Sequence, residues 1–300
     1  MTIMSLQSLR GAALAALVSL AATPALAAEE HAADAGGGHG IAIARQAWTF
    51  GGFFGKFDKD QLQRGWQVYQ EVCSTCHGLK RLAFRNLVQP GGPEFPEESV
   101  KALAAAWPNK ITDGPDDNGK MFERPALLSD PILGPYKNEK EARAAQNGAL
   151  PPDLSIIAKA RNVEYLGTWY AHPFSMLRDI ARGYQEGGAD YIYALMTGYV
   201  DPPANFKLND GMSYNTAFPG HQIGMPPPLS SDPKSPSVKY QDGTGSLDAN
   251  ARDVTAFLAW AADPSLTARK QLGWQVMLYL IITTLLLYLG KRRLWAKVAH

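Results

Sequence analysis

The sequence predicts a mainly α fold with long Pro/Gly-rich loops, followed by one C-terminal transmembrane helix. Three observations carry that expectation. Apolar residues recur at helical spacing in several stretches, while alternating strand-like runs are few. Residues 89–99 and 218–236 are turn-rich segments too long to be idle connections in a helical bundle. Residues 272–289, LGWQVMLYLIITTLLLYL, contain no charge. As a helix rising about 1.5 Å per residue they reach roughly 27 Å, close to the ~30 Å hydrocarbon core of a bilayer.

The apolar run is bordered like a membrane anchor. Arg269 and Lys270 precede it, and Lys291, Arg292, Arg293 and Lys297 follow. Trp274, Tyr279, Tyr288 and Trp295 are placed to sit at the interfaces, and the excess of cations after the run puts the C-terminus in the cytoplasm. At the other end Arg10 precedes a small-apolar run, residues 11–22, and then Pro24 and Ala25-Leu26-Ala27. That order is a secretory signal peptide, since about twelve alanine-rich residues are too few to span a bilayer. The expected organisation is signal peptide 1–27, exported domain 28–268, and anchor with a short tail 269–300. The net charge of +1, with scattered basic residues, gives no reason to expect a nucleic-acid partner.

Within the exported domain the clearest helix starts near Asp58, whose spacing to Gln61 is that of a capping box. Leu62, Trp66, Tyr69, Cys73 and Cys76 follow at intervals of 4, 3, 4 and 3, which puts both cysteines on the apolar face. Further helices are expected over residues 137–146, from Pro151 through Ala160, over 190–198, and over 248–263, where Val254, Phe257, Leu258 and Ala261 share a face.

Cys73 and Cys76 are the two cysteines of the chain, and His77 directly follows the second. A structural zinc site needs four ligands, commonly two close pairs, and here one pair exists. A redox C-x-x-C normally follows a strand in a βαβ unit, whereas this one closes a helix. C-x-x-C-H is the attachment signature of c-type haem. Thiols three positions apart on one helical side form thioethers to the porphyrin, and the adjacent His77 becomes the proximal ligand. One covalently attached haem c is therefore expected.

A six-coordinate haem needs a second axial ligand, most often methionine, with histidine as the alternative. Met277 lies in the apolar run, and Met176 and Met196 lie in helix-like stretches where core packing is the ordinary role. Met121 stands among charges. Met225 lies in GHQIGMPPPLS, where Gly224 permits close backbone approach and three prolines stiffen the loop. It is the preferred candidate, with Met212 next and His172 or His221 as bis-histidine alternatives.

VCSTCHGLKRLAFRNL, NGALPPDLSIIAKAR, DYIYALMTGYVDPP, FPGHQIGMPPPL and DVTAFLAWAADPSLTARKQLG resemble, in order, the cytochrome c1 family. The resemblance runs from about Phe54 to Trp295. It implies a cytochrome c-like haem domain held covalently by Cys73 and Cys76, with His77 and Met225 as axial ligands. Pro152 would pack on the haem, Arg161 would meet a propionate, and Tyr191 would lie near the ring. It further implies an electron-transfer subunit of the cytochrome bc1 complex in a bacterial inner membrane, with the haem domain in the periplasm. The partners would be cytochrome b, a Rieske iron–sulfur protein as donor and a soluble cytochrome c as acceptor. One departure bears on Arg161 and Tyr191: residues 162–186 intervene where mitochondrial-type relatives pass almost directly to a Gly-Gly-Asp/Glu-Tyr segment. Glu94, Glu97, Glu98, Asp113, Asp116 and Asp117 form a candidate acidic face for docking a basic carrier. A free-standing anchored cytochrome c, a haem enzyme with an open sixth position, and a thiol oxidoreductase are the rival readings.

Overall fold

A computed structural model describes residues 41–161, 173–174, 176–177, 187–232, 234–241, 243 and 245–296. The expected signal peptide, the alternative ligand His172 and most of the intervening segment 162–186 lie outside these residues. Seven helices are described: α1 Lys59–Glu71, α2 Glu97–Ala106, α3 Glu139–Ala145, α4 Ile157–Ala160, α5 Gly187–Thr197, α6 Leu247–Ala262 and α7 Leu266–Trp295. Six short strands form three antiparallel pairs. β1 (Leu79–Ala83) pairs with β4 (Pro131–Ile132), β2 (Ile111–Asp113) with β3 (Phe122–Arg124), and β5 (Ser213–Tyr214) with β6 (Gln222–Ile223). The mainly α architecture with long loops and one apolar C-terminal helix is as expected.

The core forms where α1 crosses α6. Asp58 caps α1 by accepting the Gln61 backbone N–H at 2.8 Å, and Leu62, Trp66 and Tyr69 are buried along one face. The opposing face of α6 buries Val254, Phe257, Leu258 and Ala261. The helices meet so closely at Gly65 that a Cβ there would lie 2.1 Å from the Asp253 carbonyl oxygen. Phe257 then touches both Trp66 and Tyr69, with ring centroids 5.6 and 5.8 Å apart. Each such aromatic contributes about 1.5–3 kcal/mol on burial. α5 and α4 complete this layer by packing on α6.

Two expected elements differ. α1 ends at Glu71, and Cys73–Thr75 forms a separate 3-10 turn, so the cysteines lie beyond the helix rather than on its face. Residues 151–156 are not helical, and α4 begins only at Ile157. Polar groups of this stretch bond elsewhere: Asp153 accepts the Lys80 backbone N–H at 2.8 Å, and Ser155 accepts that of Arg81 at 3.0 Å. The stretch thus borders β1 instead of closing its own helical turn.

α7 carries a mean hydropathy of 1.8 over its most apolar window and buries none of its residues. It is long and apolar enough to cross a membrane.

Candidate functional site

The turn that follows α1 holds Cys73, Cys76 and His77 in a fixed relation. The backbone N–H groups of Cys76 and His77 both donate to the Cys73 carbonyl, at 3.1 and 2.9 Å. Tyr69, buried one turn earlier on α1, donates its hydroxyl to the His77 carbonyl at 3.0 Å. Beyond His77 the chain must pass tightly: a Cβ on Gly78 would lie 2.6 Å from the Gly134 nitrogen. Gly78 also accepts the Leu154 N–H at 2.9 Å, which ties the turn to residues 151–156.

The ring of His77 is oriented by the same stretch. Its Nδ1 lies 2.7 Å from the Pro152 carbonyl oxygen. A carbonyl only accepts, so Nδ1 carries the proton and Nε2 keeps its lone pair for a ligand bond. Burial lowers the imidazole pKa, opposed by the Pro152 bond and the Asp153 charge, so the ring favours the neutral form that ligates. The Pro152 carbonyl is thus the group that sets the tautomer of His77.

The two thiols are unbridged. Burial, and secondarily Cys76, pushes the Cys73 thiol up to about 12. A redox dithiol needs a stabilised thiolate, so this environment runs against a thiol oxidoreductase. Among the described residues no cluster of three or more His, Cys, Asp or Glu side chains is arranged to hold a metal ion.

Met225 is presented by β6. Ile223 is buried and pairs with Ser213, and Asn215, fully buried, fastens β5 to α5 by donating to the Leu195 carbonyl at 2.8 Å. Tyr199, just past α5, donates its hydroxyl to the Met225 carbonyl at 3.1 Å. Burial, with a further contribution from Tyr191, raises the Tyr199 pKa, so it remains a neutral donor.

Residues 146–152 join the two halves. Gln146 Nε2 lies 3.8 Å from Cys76 Sγ and 2.6 Å from the Tyr136 hydroxyl. Pro152 holds His77. Between them, the Ala149 Cβ lies 3.3 Å from where a Cβ on Gly224 would stand. One short stretch thus touches the C-x-x-C-H turn on one side and the neighbour of Met225 on the other. This is the observation by which the residues fit a haem: one of two unbridged thiols, an imidazole with its free nitrogen defined, and the glycine beside Met225 are all reached from one segment. Met212 shares the neighbourhood, its Sδ 3.8 Å from the same Gly224 position.

The other candidate ligands are placed differently. Met121 and Met176 are exposed, so Met176 does not have the core role expected for it, whereas Met196 packs against the core. The His221 ring stacks on Tyr214 at 5.4 Å, and its Nδ1 lies 3.0 Å from the Asn215 carbonyl. Arg161 and Tyr191 are brought close despite residues 162–186. Gly188 packs so tightly on α4 that a Cβ would lie 1.7 Å from the Ala158 oxygen and 2.4 Å from that of Arg161. Burial raises the Tyr191 pKa, and the Arg161 charge opposes it.

The candidate acidic face is largely paired within the molecule. Lys59 reaches Glu94 at 3.6 Å, Lys101 reaches both Glu97 and Glu98, and Arg124 reaches Asp113. Asp116 accepts the backbone N–H groups of Asn118 and Lys120. Gln146, Ala149 and Tyr199 were not singled out by the sequence, and Tyr69 only as a member of the apolar face, because each acts at the site through contacts that spacing does not encode.

Residues 48–298 match the family model described as the Cytochrome C1 family. Cytochrome c1 of Blastochloris viridis is 44% identical over 283 residues, covering 94% of this chain and 96% of that protein. Cytochrome c1 of Rhodospirillum rubrum is 42% identical over 278 residues, covering 87% of this chain and 90% of that one. A protein named cytochrome b/c1 from Bradyrhizobium diazoefficiens is 46% identical over 251 residues, 83% of this chain but 35% of its own length.

Proposed function

Because the chain belongs to the cytochrome c1 family, we propose that it is the one-electron haem subunit of a quinol–cytochrome c oxidoreductase, the bc1 complex. Cys73 and Cys76 would hold one haem c through two thioethers, and His77 and Met225 would supply the nitrogen and sulfur donors to its iron. When bound, that group supplies reversible one-electron storage with no bond made or broken in a substrate. The chain's own part is positional. The Pro152 carbonyl keeps the His77 proton on Nδ1, Tyr69 holds the His77 backbone, and Tyr199 holds the Met225 backbone. Arg161 and Tyr191 lie at the edge of the site, where the arginine offers charge to a propionate.

The electron comes from a Rieske iron–sulfur protein and leaves to a soluble cytochrome c. Cytochrome b is the membrane partner, a reading supported by the relative whose name joins b and c1. Residues 1–27 direct export, residues 28–268 stand in the periplasm, and residues 269–300 anchor the domain in a bacterial inner membrane with the C-terminus in the cytoplasm.

The observation that carries this reading is the stretch 146–152, which meets Cys76, His77 and the flank of Met225. The test is a pyridine haemochrome spectrum of the purified protein combined with a thiol count. The expected result is one c-type haem per chain and no alkylatable thiol. Colourless protein with two titratable thiols would end the proposal.

A further inference from the structure

The segment between Thr49 and Lys56 is a loop built to project two phenylalanines. Its neck is closed by the Lys56 N–H donating to the Thr49 carbonyl at 3.0 Å. The neck is also pinched: Gly55 lies so near the other side of the loop that a Cβ would stand 1.9 Å from the Gly51 oxygen. Gly52 takes a φ of +69°, which favours glycine and turns the chain outward. Of the loop's aromatics, Phe50 and Phe57 face the core and touch each other at 4.8 Å. Phe53 and Phe54, at the tip, are 58% and 74% exposed.

That tip is fastened to the start of α7. Lys270 donates to the carbonyls of Phe50 and Gly52, both at 2.6 Å. One turn further along, the Trp274 ring meets Phe54 edge to face at 5.4 Å. Between loop and helix lies a cleft of about 210 Å³ lined by Phe53, Phe54, Lys56, Lys270, Gln271 and Trp274. The contact falls where the charged first turn of α7, Arg269 and Lys270, gives way to its uncharged run. This is the depth at which aromatic rings settle between headgroups and acyl chains, and where lysines extend toward the phosphates.

We propose that the Phe53–Phe54 tip is a second membrane contact, seated in the lipid interface beside the entry of α7. Its occupant is lipid rather than a polypeptide, for two reasons. The tip is continuous with a helix whose residues 271–282 are all exposed, so the same apolar medium that covers the helix covers the tip. Residues 48–57 carry a single charge, Lys56, a cation suited to a phosphate headgroup. Together, the helix and the tip give the attached domain two points of contact, fixing its tilt as well as its distance from the bilayer.

The test is photocrosslinking of the full chain in native membranes, with p-benzoylphenylalanine replacing Phe54 and, in parallel, Phe53. The same replacement of Leu278 within the span is the positive reference, and of Leu127, exposed in the loop between β3 and β4, the negative one. The expected result is a lipid acyl adduct by mass spectrometry at 53 or 54 and at 278, and none at 127. An adduct at 278 with none at 53 and 54 overturns the proposal, as does an adduct at 53 and 54 to another polypeptide alone. No lipid adduct even at 278 overturns both the tip contact and the membrane-spanning reading of α7 on which it rests. None of these outcomes depends on the haem.

Discussion

Tyr199 holds Met225 by its backbone: the phenol donates to the methionine's carbonyl oxygen at 3.1 Å. The bond places a rigid aromatic behind a loop whose three prolines already limit its freedom. A thioether is a weak ligand, so if Met225 serves as the proposed haem ligand the orientation of its backbone bears directly on binding.

Tyr199→Phe keeps the ring and removes the donor. The net loss is about 0.5–1.5 kcal/mol. If methionine loss is coupled to one proton, the pH at which it dissociates falls by roughly 0.4–1.1 units, at about 1.36 kcal/mol per unit. The weak far-red ferric band of iron–thioether bonding, followed through an alkaline titration, measures this. An unmoved midpoint removes the positioning role of Tyr199.

Met225 and Met212 flank the same Gly224, so replacing each in turn separates ligand from neighbour. Met225→Ala is expected to abolish the far-red band and lower the reduction potential, since a soft thioether favours ferrous iron. Met212→Leu conserves volume and is expected to leave the band in place, at a stability cost under about 1.5 kcal/mol. Loss of the band with Met212→Leu and its retention with Met225→Ala would exchange the two assignments.

Gly65→Ala tests the crossing of α1 and α6. The added methyl would meet the Asp253 carbonyl and the Phe257 Cβ, at 2.1 and 2.7 Å, neither of which is the end of a flexible side chain. Overpacking costs about 1–3 kcal/mol, and a rigid backbone neighbour puts this site at the upper end. At roughly 2–4 °C per kcal/mol for a domain of this size, thermal unfolding should fall by about 6–12 °C. An unchanged midpoint would mean that the helices separate freely here.

The parts of this fold that were legible in the sequence are those fixed by periodicity and by local signals. The face Leu62–Trp66–Tyr69, the Asp58 cap, the helix carrying Phe257 and the uncharged run of α7 all rest on spacing within one element. The first part of the helix expected from Pro151 was not formed, because the Asp153 and Ser155 side chains cap backbone N–H groups of β1, residues distant in sequence, and only Ile157–Ala160 is helical. The paired strands have two to five residues each, too short for alternation to register. At the candidate site, C-x-x-C-H was plain because the motif lies within five consecutive residues. Arg161 and Tyr191 came together through the Gly188 contact, which the spacing across residues 162–186 does not encode. Gln146, Ala149 and Tyr199 contribute single contacts made across loops, and such contacts follow from the folded path alone.

Asp263 sets how the helix α7 is joined to the domain, and it makes that joint sensitive to acid. Its carboxylate is buried at the end of α6, where it accepts from Arg269 at 2.6 Å on α7 and from Lys159 at 2.9 Å on α4. Burial pushes its pKa up, but the hydrogen bonds from Arg269 and Lys159 outweigh this and leave it below the ordinary value. A carboxylate depressed in the folded state contributes stability above its unfolded pKa of about 3.9, and the contribution is lost as pH falls through the lower folded value. Arg269 and Lys159 are each more than a third exposed, so solvent screens the cluster, and the contribution is on the order of 1–2 kcal/mol. Asp263→Asn is therefore expected to unfold at lower denaturant than the parent at pH 7, and the two curves should draw together as pH falls below the ordinary carboxylate range and the parent's own carboxylate protonates. A gap that stays constant from pH 7 to pH 3 would mean that Asp263 acts there through packing and not through its charge.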